Sequence, residues 1–210
     1  MLSLAAVVCS VLVLITACPA HGKTPTHVLA FGDSLTAGYG LAPSESFAAR
    51  LEARLLEQGY QVRVTNAGVS GDTTSGGLDR LPWSLEDRPQ LVILELGAND
   101  GLRGMDVGRM RENLESMIRL CQEAGAAVLL TGMRAPVNWG DVYKKNFEAV
   151  YPELAQTFDL SLYPFFLDGV LGKRALMLTD GLHPNAQGVE RIVDGILPFI
   201  LHELNALPTP

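Results

Sequence analysis

Short apolar runs alternate along this chain with longer amphipathic segments, and no other feature narrows the possible folds as far. The runs are Val28 to Phe31, Val62 to Thr65, Leu91 to Leu96 and Ala127 to Thr131, with a weaker one near Leu160 to Leu162, and each reads as a strand. Helices fill the gaps. Phe47, Leu51, Leu55 and Leu56 mark one apolar helix face, which Gly59 ends, and a second helix runs from about Asp106 to Ala124, closed by Gly125. A third covers Val142 to Thr157, where Pro152 should kink or divide it. The last begins near Asn185 and carries Val189, Ile192, Val193, Ile196 and Leu197, with Pro198 interrupting its second half. Strand and helix alternating at this spacing predict an α/β fold, a parallel sheet with helices on both faces, because right-handed crossovers place them there.

In such sheets, sites form beyond the carboxyl ends of the strands. The chemistry-bearing residues follow the predicted strands. Ser34 stands in Phe31-Gly32-Asp33-Ser34-Leu35, directly after the first run, and Asp180-Gly181-Leu182-His183 lies near the far end of the chain. A serine hydroxyl is a weak nucleophile until an imidazole takes its proton, and a carboxylate on the other ring nitrogen fixes the tautomer. One loop would deliver both base and carboxylate here, although the same Asp-x-x-His equally suits the cap of a helix beginning near Pro184. Two more loops follow strands, Asn66-Ala67-Gly68-Val69-Ser70-Gly71-Asp72 and Gly97-Ala98-Asn99-Asp100. The N–H groups of Ser34 and Gly71 with the Asn99 amide would make three donors for an oxyanion. Taken singly, Gly71 also reads as a turn glycine and Asn99 as a loop cap. Asp33 reads as a turn former beside the nucleophile. No Gly-x-Ser-x-Gly elbow occurs, so Ser70 in Gly68-Val69-Ser70-Gly71 is not the nucleophile.

These blocks in this order resemble the SGNH, or GDSL, hydrolase superfamily: Ser34 in Gly-Asp-Ser-Leu, Gly71 in Ser-Gly-Asp, Asn99 in Gly-Ala-Asn-Asp, and Asp180 with His183 in Asp-Gly-Leu-His-Pro. The resemblance runs from about Val28 to the last helix. It is nearest to small bacterial esterases of the arylesterase, acyl-CoA thioesterase I and lysophospholipase type, through Asn-Ala-x-x-Ser-Gly-Asp-Thr, Glu-Leu-Gly-x-Asn-Asp-Gly-Leu-Arg-Gly and Pro-Phe-Phe-Leu-x-Gly-Val. It implies a three-layer α/β/α flavodoxin-like fold with a five-stranded parallel sheet. It also implies a catalytic Ser34, His183 and Asp180, an oxyanion hole of Ser34, Gly71 and Asn99, and hydrolysis of carboxylic esters and thioesters of acyl chains through an acyl-enzyme. Such chemistry requires no cofactor. The expected partner is a small acyl ester or thioester, lysophospholipid included.

With 210 residues and 48% hydrophobic content, the chain suffices for one sizeable core, and the hydrolase domain is expected over residues 26–206. A net charge of −7 without clustered Lys and Arg argues against a nucleic acid partner. Residues 1–20 read as an export signal built on the apolar run Leu2 to Ala17, which points to a periplasmic or secreted protein. Cleavage fits after Ala20, or at the lipobox-like Ile15-Thr16-Ala17-Cys18, where a lipid on Cys18 would tether the protein to a membrane. Cys121 is left as a buried, inert helix thiol, and the chain is expected to be a monomer. No two of His21, His27, His183 and His202 are spaced as a ligand pair, so no metal is expected. Leu78, following the Gly71 block, and Val137, Trp139 and Tyr143, following the fourth strand, are candidate linings of an acyl groove, although helix packing explains them as well.

Rival readings stay within reach of the same residues. A carbohydrate O-acetyl esterase would use the same triad in a more open, polar groove. A non-catalytic lipid-binding protein would not need the triad. A flavodoxin-type nucleotide binder would fit the architecture, but Gly32-Asp33-Ser34-Leu35-Thr36-Ala37-Gly38 lacks a P-loop Lys and a Gly-x-Gly-x-x-Gly pattern.

Overall fold

The computed structural model describes residues 24–208; the export signal expected at 1–20 and the lipid attachment considered at Cys18 lie outside them. Five strands, β1 (Thr26–Gly32), β2 (Val62–Gly68), β3 (Leu91–Glu95), β4 (Ala127–Thr131) and β5 (Ser161–Tyr163), form one sheet in the order β2-β1-β3-β4-β5. Every pairing is parallel. Residues of β3 are buried throughout and those of β1 are buried after Thr26, as expected of central strands covered on both faces. The edge strand β2 is less covered, with Val62 buried, Arg63 and Asn66 exposed and the rest half-buried.

Helix α1 (Ser34–Ala37) is a single turn after β1, and α2 (Phe47–Glu57) follows it. Beyond β2 come α3 (Thr74–Leu85), then α4 (Ala98–Leu102) and α5 (Val107–Glu123) between β3 and β4, α6 (Asp141–Phe158), and α7 (Ala186–Ala206). Helices α2 and α7 pack together, whereas α5 packs between α3 and α6. Arg54 of α2 reaches Glu190 of α7 at 3.1 Å, and ion pairs Arg50–Glu190 and Arg54–Asp194 extend this seam.

The predicted helices hold with local changes. Phe47, Leu51 and Leu55 are buried as read, but Leu56 is 51% exposed and lies off the apolar face of α2. Neither proline divides its helix. Each forfeits its own N–H bond, yet buried side chains on both sides, Val150, Tyr151 and Leu154 around Pro152 and Ile196, Leu197 and Ile200 around Pro198, hold the helix to the core. The terminal strand falls at Ser161–Tyr163, one residue beyond the predicted Leu160 to Leu162. Helices α1, α3 and α4 escape the periodicity argument. Two are only about a turn long, and α3 carries Gly76, Gly77 and Pro82, poor helix formers that its packing overrides.

Chain order explains where a site forms. The chain leaves β1 for β2 on one side and later returns to lay β3 on the other, so a crevice opens beyond the carboxyl ends of β1 and β3. Helix α1 fills part of it and packs on the end of β2, where a Cβ on Gly68 would fall well inside contact distance of the Ala37 nitrogen. Because the obstruction is backbone, Gly68→Ala should lower unfolding free energy by about 1–3 kcal/mol in denaturant titration, the cost of overpacking. An unchanged unfolding free energy would contradict this packing.

Candidate active site

Ser34 opens α1, and Asp33 caps that turn, its Oδ1 accepting from the Leu35 N–H at 3.0 Å. The cap aims the serine into the crevice rather than along the strand. From the loop before α7, His183 brings Nε2 to 2.9 Å of Ser34 Oγ, and its Nδ1 lies 2.7 Å from Asp180 Oδ2. Asp180 Oδ1 accepts from the N–H groups of Leu182 and His183 at 2.9 and 3.0 Å, so the loop is folded around its own carboxylate. The bond to the His183 ring, helped by these amides, holds the Asp180 carboxyl down at about 2. The rival use of this loop is settled by Asn185, which caps α7 through the Gly188 N–H at 3.0 Å.

Three donors face the same crevice. Gly71 has φ +83°, a left-handed conformation that a side chain would strain. Among the described residues neither its N–H nor that of Ser34 has a protein acceptor. Asn99 Nδ2 donates one hydrogen to Asp33 Oδ2 at 3.0 Å, which leaves the second for the cavity. Two ties hold the Gly71 loop: Arg103 donates to the Gly71 carbonyl at 2.9 Å, and Arg80 pairs with Asp72 at 2.7 Å while binding the carbonyls of Ala67 and Gly32. The start of α3 is fixed to α4 through Thr74, whose N–H and hydroxyl reach the buried Asp100 carboxylate at 2.9 and 2.6 Å.

Beneath Ser34 lies a buried acidic pair. Glu95 and Asp33 are both 0% exposed. Glu95 Oε2 accepts from the Asp33 N–H at 3.2 Å and from the Thr36 hydroxyl at 2.7 Å, while Oε1 has no partner among the described residues. Burial, and then the nearby Asp33 charge, push Glu95 well above the ordinary carboxylate range. Burial also raises Asp33, to about 6, against the pull of the Leu35 N–H and the Asn99 amide.

Ser34, Gly71, Asn99 and His183 line one cavity of about 530 Å³. Its other walls are largely apolar, with Leu102, Met133, Pro136, Phe165, Leu167 and Leu171 among them. None of the predicted groove residues is there. Leu78 packs half-buried on the core from α3, and Val137 is 80% exposed. Trp139 Nε1 binds the Gly101 carbonyl at 2.9 Å and Tyr143 OH binds that of Met105 at 2.9 Å, so these rings brace the loop at α4 from outside. Helix packing, the competing explanation of these side chains, prevails. Ser70 lines the cavity but makes no bond to His183, which pairs with Ser34. Tyr39, Arg80 and Glu95 escaped the sequence reading. Tyr39 sets its ring 4.4 Å, centroid to centroid, from that of His183, and no local motif announces such a contact. Cys121 is buried, and its thiol is pushed up to about 12 by burial.

Known proteins resemble this chain over most of its length. The model of the GDSL-like lipase/acylhydrolase family matches residues 30–191. Esterase TesA of Pseudomonas aeruginosa is 43% identical over 193 residues, covering 91% of this chain and 94% of TesA. Thioesterase 1/protease 1/lysophospholipase L1 of Escherichia coli strain K12 is 40% identical over 199 residues, covering 91% and 92%. Among solved structures, the psychrotrophic esterase EstA from Pseudoalteromonas sp., inhibited by monoethylphosphonate, superposes with a TM-score of 0.82 at 35% identity, covering 86% of this chain and 99% of EstA.

The acidic pair has a consequence for stability. In the unfolded chain Glu95 ionises above about 4.5, whereas the fold keeps it protonated, so the native state binds more protons and stability falls as pH rises. For one proton the slope is at most about 1.4 kcal/mol per pH unit. Glu95→Gln removes that term. The unfolding free energy of the wild type relative to Glu95→Gln should therefore decline between about pH 5 and 7, and parallel curves would contradict a neutral Glu95.

Proposed function

The chain belongs to the GDSL-like lipase/acylhydrolase family and is a serine hydrolase of ester and thioester bonds, and from that premise we propose that Ser34 is its nucleophile, His183 its general base and Asp180 the carboxylate that orients the base. The observation that carries the assignment is the 2.9 Å approach of His183 Nε2 to Ser34 Oγ. As Ser34 Oγ attacks the acyl carbonyl, His183 takes the hydroxyl proton and Asp180 stabilises the imidazolium through Nδ1–H. The carbonyl oxygen becomes an oxyanion held by the N–H groups of Ser34 and Gly71 and the amide of Asn99. His183 then returns the proton to the departing alcohol or thiol, leaving an acyl-enzyme. Water, deprotonated by the same imidazole, repeats the sequence and frees the acid.

The apolar walls support an acyl chain as the part of the substrate that the cavity selects. They favour medium to long acyl esters, aryl esters, thioesters or lysophospholipids over acetylated sugar. The apolar segment Leu2 to Ala17 supports export of the hydrolase domain, residues 26–206, to the periplasm or beyond.

Ser34→Ala should abolish ester hydrolysis while leaving the unfolding transition in place. Asn99→Ala should cost roughly a hundredfold to a thousandfold in kcat, the scale of one lost oxyanion donor, and a loss below about threefold would remove Asn99 from the hole. Across p-nitrophenyl esters and acyl-CoA thioesters, kcat/KM should climb by up to about fourfold per methylene until the cavity is full, since a buried CH₂ contributes about 0.8 kcal/mol. A preference for acetyl over octanoyl esters would instead select the carbohydrate esterase reading.

A further inference from the structure

An amide side chain serves as an oxyanion donor only if its nitrogen, not its oxygen, faces the substrate, and something must decide between these orientations. At Asn99 the deciding group is Asp33. Asp33 Oδ1 is taken by the Leu35 N–H and Oδ2 by the Asn99 amide, each at 3.0 Å, so every described contact of this carboxylate is with a donor. An ionised carboxylate accepts and never donates, and it therefore rejects the flipped Asn99, which would turn oxygen toward oxygen. We propose that Asp33 is a positioning residue for the reaction: its carboxylate locks the Asn99 amide so that the second amide hydrogen stands in the oxyanion hole.

Glu95 keeps that arrangement in place from below. Its Oε2 holds the Asp33 N–H and the Thr36 hydroxyl, fixing the backbone on either side of Ser34. A Cβ on Gly32 would fall on both that oxygen and the Thr36 hydroxyl, so the contact requires glycine there. Two neighbouring buried carboxyls do not both ionise readily, and the proton belongs on the one with an oxygen that no donor reaches. That oxygen is Glu95 Oε1. With Glu95 neutral, Asp33, raised only to about 6, carries the negative charge at neutral pH.

The inference rests on Asn99 being an oxyanion donor, and a double-mutant cycle separates the two claims. In Asp33→Asn the new oxygen keeps the Leu35 N–H and the new amide nitrogen meets Asn99 donor to donor, so Asn99 flips and sets its carbonyl where the donor stood. With p-nitrophenyl octanoate, Asp33→Asn should lower kcat by about tenfold or more with KM within about threefold, a transition-state loss. Asp33→Asn/Asn99→Ala should fall no more than about threefold below Asn99→Ala alone, because the second change has nothing left to orient. Asp33→Ser retains a cap oxygen for α1 but not the clamp on Asn99; it should show the same loss of kcat with an unfolding midpoint near wild type, and it serves for the cycle if Asp33→Asn does not fold. A full Asn99→Ala loss beside an Asp33→Asn loss below about threefold would overturn the role of Asp33 alone, as would a double mutant whose losses multiply. An Asn99→Ala loss below about threefold would remove the oxyanion reading and this inference with it.

Discussion

The hydrogen bond from the Ser34 hydroxyl to His183 Nε2 joins side chains 149 positions apart, and no local structure brings such distant groups within 2.9 Å. The sheet does so by topology. Because β1 lies between β2 and β3, the loops after these strands converge on one crevice, supplying Ser34, Gly71 and Asn99 from successive strand ends. Asp180 and His183 arrive last, after β5, on a turn folded around Asp180 and closed by the Asn185 cap of α7. The loops need to be accurate only where they meet, and their accuracy comes from short polar ties rather than from apolar burial.

Those ties are concentrated where water is excluded. Glu95, Asp33, Asp100, Thr36 and Thr74 are buried beneath or beside Ser34. A charge there would be costly in apolar surroundings, and the fold meets the cost with donors: an amide and the Asn99 side chain for Asp33, the Thr74 hydroxyl and N–H for Asp100. Burial instead pushes Glu95, with one oxygen unmatched among the described residues, well above the ordinary carboxylate range. Buried polar groups of this kind contribute little net stability, but their hydrogen bonds are made in only one arrangement and so fix the orientation of their neighbours. Around this platform the cavity walls are largely apolar, a lining that suits an acyl chain.

The sequence made much of this legible, for physical reasons that also explain the rest. Buried strands such as Leu91–Glu95 must be apolar throughout, so their pattern survives without tertiary context. The blocks around Ser34, Gly71, Asn99 and His183 are legible because turn and site chemistry demands particular residues in a particular order. The misread groove shows the opposite limit. Trp139 and Tyr143 follow the correct strand but brace α4 from outside the cavity, and which way an aromatic ring faces on a loop depends on partners distant in sequence. Tyr39 over His183, Arg80 across two strand ends and Glu95 under Ser34 carry no local periodicity, since each is defined by what it touches. Helix α3 was hidden by Gly76, Gly77 and Pro82. The close approach of Gly77 to Leu96 and Phe31 supplies its reason for being glycine.

Covalent trapping tests the central claim most directly. A p-nitrophenyl alkylphosphonate transfers its phosphoryl group to an activated hydroxyl and releases p-nitrophenol, so the reaction both counts and locates the nucleophile. One equivalent of p-nitrophenol per chain, the phosphonyl adduct on the peptide carrying Ser34 in tandem mass spectrometry, and labelling slowed by His183→Ala are the predicted result. An adduct on Ser70 or elsewhere, or labelling at the same rate without His183, would contradict the account.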